Sequence, residues 1–148
     1  MGYFLGITSL MIKIQSNRFY MKYQDEVISS LKVLTTNVIY FVGGLWYFEY
    51  DGCQMVYIPE ENSSNTIRIC IPHFNSVDNF DYKRLTTAIN ETNREIKYVK
   101  IIVLGNGSIS INYDHKYNGE NDLYSMLLHM IKTLCFATEY LKSKLSEK

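Results

Sequence analysis

The hydrophobic positions change period several times along the chain, and each change marks an element. In residues 19–34, FYMKYQDEVISSLKVL, the residues Phe19, Tyr23, Val27, Leu31 and Leu34 recur every three or four positions. That spacing predicts one apolar face of a helix, with Lys22, Asp25, Glu26 and Ser29 largely elsewhere. The run GLWYFEYDGCQMVYIPEE then reads as two β-rich stretches joined by Asp51-Gly52. This dipeptide is a strong hairpin signal, because a type I′ turn needs positive φ at both central positions. In front of it, NVIYFV before Gly43-Gly44 is either an extra short strand or a kinked lead-in to the first. NTIRICIPHF alternates Ile67, Ile69 and Ile71 with Thr66, Arg68 and Cys70, which predicts a half-buried antiparallel strand whose pairing ends at Pro72.

Helical spacing returns in NFDYKRLTTAINETNREI, with Asp78 placed as its N-cap and Tyr82, Leu85, Ile89, Thr92 and Ile96 toward the sheet. Two strands follow, one carrying Val99, Ile101 and Val103, the other Ile109, Ile111 and Tyr113. Asn106-Gly107 is the turn between them. A long helix from about Asn121 to Leu145 closes the chain. Its apolar residues Leu123, Leu127, Met130, Ile131, Leu134, Leu141 and Leu145 form a broad arc rather than a stripe. A helix apolar on more than one side is covered by more than one neighbour, here the N-terminal helix or a second subunit. The expected order is α-β-β-β-α-β-β-α, an α+β fold with an antiparallel sheet and helices packed on one side.

Composition narrows the class without naming a reaction. At 148 residues the chain suits one domain with a real core, expected over residues 19–148, preceded by an apolar arm or helix start at 1–18. Fifteen basic residues balance fifteen acidic ones, so no net field favours nucleic acid or an anionic surface. In MGYFLGITSLMIKIQ, Lys13 and then Arg18 interrupt the apolar run, so the roughly 20 apolar residues of a stable membrane span are absent. Cys53, Cys70 and Cys135 are odd in number and lack C-x-x-C spacing, which fits buried thiols in a reducing compartment.

The chemical motifs dissolve one by one. LGNGS lacks a third glycine and a Lys-Ser/Thr, and it leads into a strand, so a hairpin turn replaces a phosphate loop. His73, His115 and His129 have no metal-ligand partner at helical spacing, and no cofactor or metal is expected. No nucleophile signature is present, so no catalytic residue is assigned and an enzyme is not expected. Trp46, Phe48 and Tyr50 alternate on one strand face. They could stack bases of a single strand, but without interleaved cations they read as core. Asn90 and Asn93 stand one turn apart near a helix end. They read as pins to the next strand, or else as part of a small-molecule site with Asp114 and His115.

The stretch INETNREIKYVKIIVLGNGSISINYD, followed by an acidic loop and a long apolar helix, resembles the YbjN-type family of the type III secretion chaperone-like fold. Asn90, Asn93 and Lys100 stand at that family's Asn-x-x-Asn helix end and Lys-bearing strand. IRICIPHF is similar to its strand-then-Pro step, and FATEYLKSKL to the endings of bacterial, Bacteroides-like members. The resemblance covers roughly residues 19 to 145. It implies a cytoplasmic, non-enzymatic homodimer that binds a protein or peptide client, with no catalytic residues to carry over. On that expectation Leu123, Leu127, Met130, Leu134 and Leu141 form the dimer or partner interface. Asn90, Asn93, Lys100, Asn106, Gly107, Asp51 and Gly52 are structural.

Overall fold

A computed structural model describes residues 24–59, 65–119 and 122–146. The predicted arm at 1–18, with Phe19 and Tyr23, lies outside them. Residues 24–34 are helical (α1). Then come β1 (Thr36–Phe41), β2 (Leu45–Tyr50), β3 (Cys53–Ile58), β4 (Thr66–Ser76), α2 (Tyr82–Glu95), β5 (Val99–Val103), β6 (Ser108–Lys116) and α3 (Leu123–Ser146). The protein is α+β, with a six-stranded antiparallel sheet in the order β1-β2-β3-β4-β6-β5. NVIYF is therefore strand β1, an addition that brings the five expected strands to six.

One face of the sheet carries the core. Phe48, Met55, Tyr57, Ile67, Ile69, Ile71, Val99, Ile101, Ile109, Ile111 and Tyr113 are buried in a single cluster. Val27 and Leu31 of α1, Leu85 and Ala88 of α2, and the apolar side of α3 belong to the same cluster. All three helices thus pack on that face, and strand alternation keeps one side-chain set toward them. Leu127, Met130, Ile131, Leu134, Ala137 and Leu141 are fully buried. The broad arc of α3 is consumed inside the chain, between the sheet, α2 and the α1 part of the cluster.

Local chemistry sets the element ends. Asp51 and Gly52 both have positive φ, 50° and 79°, as the type I′ turn requires. The β5–β6 turn takes another form. Gly107 N–H donates to the Leu104 carbonyl at 2.9 Å, and among the turn residues only Gly107 turns left-handed, at φ 86°. The turn is pinned from outside, since Val77 N–H donates to the Gly107 carbonyl at 2.9 Å. A Cβ on Gly107 would meet Val77 Cγ2 at 3.4 Å.

Three expectations are corrected. β4 does not end at Pro72 but runs to Ser76, with its register shifting between Ile71 and Asn75. A bulge absorbs the proline, which has no N–H for the ladder. Asp81, not Asp78, caps α2: its carboxylate accepts from the Arg84 N–H at 3.1 Å. Asp78 lies in a short 3-10 turn at Val77–Asn79 that Ser76 caps. Tyr82, as the first helical residue, is exposed rather than turned to the sheet. At α3, Asp122 caps by accepting from the Ser125 Oγ–H at 2.7 Å and N–H at 3.0 Å. These bonds, the hydroxyl first, hold its carboxyl below the usual aspartate range.

Candidate functional site

An open sheet has two edges, each with a row of unpaired backbone groups that another chain can extend. Here the two edges are treated differently. On β5 the edge is closed by a side chain. Asn93, on α2, places its amide against Ile101, accepting from the Ile101 N–H at 2.7 Å and donating to its carbonyl at 3.2 Å. One amide group reproduces the bonding of a neighbouring strand at the middle of β5. Lys100 is exposed beside it, and a charge on an edge disfavours further pairing.

Among the described residues the β1 edge has neither device. The strand TNVIYF holds no charged residue. Ile39, Tyr40 and Phe41 are 57%, 59% and 57% exposed, and Val42 beyond them is 93% exposed. Register puts Tyr40 opposite Trp46 on the helix side, and Ile39 and Phe41 opposite Tyr47 and Leu45 on the other. Apolar surface therefore flanks, on both faces, a backbone edge that no other described strand pairs. Rings brace it from β2: Tyr40 and Trp46 have centroids 5.0 Å apart, and Phe41 and Tyr47 5.1 Å. Lys32 Nζ lies 5.8 Å from the Trp46 ring centroid, a cation–π contact tying α1 to the same corner. A register shift between Thr36 and Ile39, where Asn37 has φ 62°, confines the regular pairing stretch to Ile39–Phe41.

The other singled-out residues sit apart from this edge or inside the fold. Leu127, Met130, Leu134 and Leu141 are fully buried within the chain and Leu123 is half-buried, so they offer no open interface. The breadth of the α3 arc, which had suggested a second subunit, is explained without one. Asn90 is exposed, one turn from Asn93. Asp51, Gly52, Asn106 and Gly107 are turn residues, with Asn106 Oδ1 accepting from the Ser108 N–H at 3.0 Å.

Asn93, Asp114 and His115 do not converge. Asp114 lies on the sheet face away from the helices, accepting from Arg68 Nε and Nη2 at 2.7 and 2.8 Å. Strand alternation turns His115 the opposite way, and Asn93 is occupied with β5. The aromatic ladder is also internal: Phe48 is buried, and Trp46 and Tyr50 pack half-buried on the core. His73 shares a 2.9 Å hydrogen bond with Ser108 Oγ, and His129 meets the Tyr113 ring edge-on. Among the described residues no three His, Cys, Asp or Glu side chains gather as a metal site. No helix among them is long and apolar enough to cross a membrane.

No protein-family model matches the chain, and no curated protein matches it significantly. The geometry of the β1 edge is thus the main guide to function. Sequence reasoning missed it because NVIYFV lacks the polar alternation that marks a covered strand. Its one signal was a β-prone run without a charge.

Proposed function

We propose that this domain is a non-enzymatic protein-interaction module that receives an extended, uncharged apolar segment of another protein on the β1 edge. The carrying observation is the contrast between the edges: β5 is closed by Asn93, while β1 leaves Ile39, Tyr40, Phe41 and Val42 exposed along a backbone edge that no other described strand pairs. The segment adds a seventh strand, with backbone bonds for affinity and alternate side chains beside Ile39 and Phe41 or Tyr40 for selectivity. This is the mode of use expected of a chaperone-like domain, and it agrees with the resemblance to the YbjN-type family. A homodimer expected through α3 loses its argument. A second copy would use the same edge, β1 against β1 about a two-fold axis.

A photo-reactive amino acid at Tyr40, compared with one at the more exposed Tyr82 on α2, tests the reading in the native host. Covalent protein adducts are expected at position 40 and not at 82. Equal labelling at the two positions would sink it. Light scattering on the purified chain separates the occupants: a concentration-dependent dimer lost in Tyr40→Lys identifies the second copy.

A further inference from the structure

Between Lys32 and Glu49 the chain carries no charged residue, and the tip of the β1–β2 hairpin lies inside that stretch. The last pair of the hairpin is Phe41 with Leu45, and the Gly44 N–H donates to the Phe41 carbonyl at 3.2 Å. Val42, Gly43 and Gly44 project beyond that pair. Val42 is 93% exposed, the most exposed large apolar residue among those described. A Cβ on either glycine would meet nothing within 4 Å. The tip is bare and convex. Behind it rings stand on both faces of the hairpin, Tyr40 against Trp46 toward the helices and Phe41 against Tyr47 on the other side. Lys32 brings one cation to the Trp46 ring.

We propose that this tip is a wedge that seats in the headgroup layer of a zwitterionic lipid bilayer and holds the domain on a membrane surface. A protein contact needs a partner surface packed against it as closely as an interior. A lipid layer closes around a convex tip without one. Tyrosine and tryptophan join an apolar ring to one polar atom, so they gather where hydrocarbon meets water. Val42 stands two residues past Tyr40, about 7 Å along a strand. Interfacial segments bury about 5–10 Å, so the rings reach headgroup level when Val42 enters the acyl boundary. Lys32, beside Trp46, is then placed to meet a lipid phosphate. With no other charge in the stretch, attachment rests on apolar contact, and a zwitterionic surface suffices. So small a wedge holds weakly and reversibly, below the affinity of about 10⁴ M⁻¹ that one myristoyl chain provides. Anchoring goes beyond strand addition and does not rest on it. It uses the tip past the last pair, whereas strand addition uses the edge before it.

Trp46 is the single tryptophan of the chain, so its emission reports on this site alone. The test mixes the whole chain with phosphatidylcholine vesicles, some brominated on the acyl carbons nearest the headgroup. At about 1 mM lipid the chain should float with the vesicles, and the brominated lipid should quench Trp46. Val42→Asp should weaken partitioning by about tenfold or more. Val33→Asp, at an exposed position on α1, should change it by less than about twofold. Adding phosphatidylserine should strengthen binding by no more than about fivefold at low salt, the share of one lysine. Unquenched Trp46, whether or not the chain floats, would overturn the proposal, as would equal partitioning of Val42→Asp. A larger gain from phosphatidylserine would give the binding to charge elsewhere, against the wedge. Trp46 emission that follows protein concentration and ignores lipid would give the tip to a second copy instead. Should Val42→Asp not fold, quenching in the unaltered chain decides. Vesicle binding without protein adducts at position 40 would sink strand addition alone, and the reverse result would sink the anchor alone.

Discussion

Asn93 commits both ends of its amide to one residue of β5, and nothing else in α2 binds the sheet in that way. Asn93→Ala leaves the N–H and carbonyl of Ile101 without that partner. It is expected to cost about 1–3 kcal/mol in urea unfolding, the usual penalty for a lost partner at a part-buried polar group. The exposed Asn90→Ala should stay within about 0.5 kcal/mol. Equal losses at the two sites would show that the pairing with Ile101 carries no special energy. Cys70 is the second residue with a definite signature. Burial raises its thiol from 9.0 to about 11, against the pull of the Arg68 guanidinium and with a smaller push from Asp114. A raised folded value means the contribution is whole below the unfolded pKa and is lost as pH climbs through the folded one. Stability should therefore fall across pH 9 to 11, by on the order of 2 kcal/mol from this thiol. Chemical denaturation of Cys70→Ala across that range checks it: the variant should lack that part of the decline. Of these two roles the sequence disclosed the first, because Asn near a helix end has a local backbone partner to find. It disclosed only burial for Cys70, since the neighbouring ion pair is made across strands.

At the scale of the element, β1 is the strand whose reading the sequence left open. Periodicity identifies a strand through the contrast between a covered and an uncovered face, and β1 has no such contrast. Residues 39 to 42 are all exposed, so the hydrophobic signal came without its usual partner, burial. The same fact makes a clean prediction. Val42→Lys should change unfolding free energy by no more than about 0.5 kcal/mol, as surface substitutions do, and Tyr40→Lys by about 1 kcal/mol at most, the worth of its ring pair with Trp46. They should nevertheless abolish partner adducts or self-association, because a charge on an edge opposes strand addition. A large loss of stability in urea titration would instead make the edge part of the fold's own support. Elements with clear contrast, β4, β5 and β6, were legible to within a few residues, the β4 bulge excepted. Its extension past Pro72 depends on β6 lying alongside, which no local pattern encodes.

For the molecule as a whole, the α+β class and the one-sided helical layer followed from alternation in the strands and three- or four-residue spacing in the helices. The covering of α3 did not, because a broad apolar arc is equally satisfied by neighbours of its own chain or by another chain. Only the three-dimensional arrangement shows that its own neighbours suffice.

The place of β4 beside β6 has a consequence for how the chain reaches this shape. The strands from β1 to β4 follow one another as neighbours in both sequence and space, and β5 and β6 form their own hairpin. The centre of the sheet is where these two locally assembled halves meet, across the whole of α2 and β5. Closing so long a loop costs entropy before the contact returns anything. The middle of the sheet, its best buried part, is thus expected to close last, after the outer hairpins, and substitutions at the β4–β6 seam are expected to slow folding more than those in the β2–β3 turn.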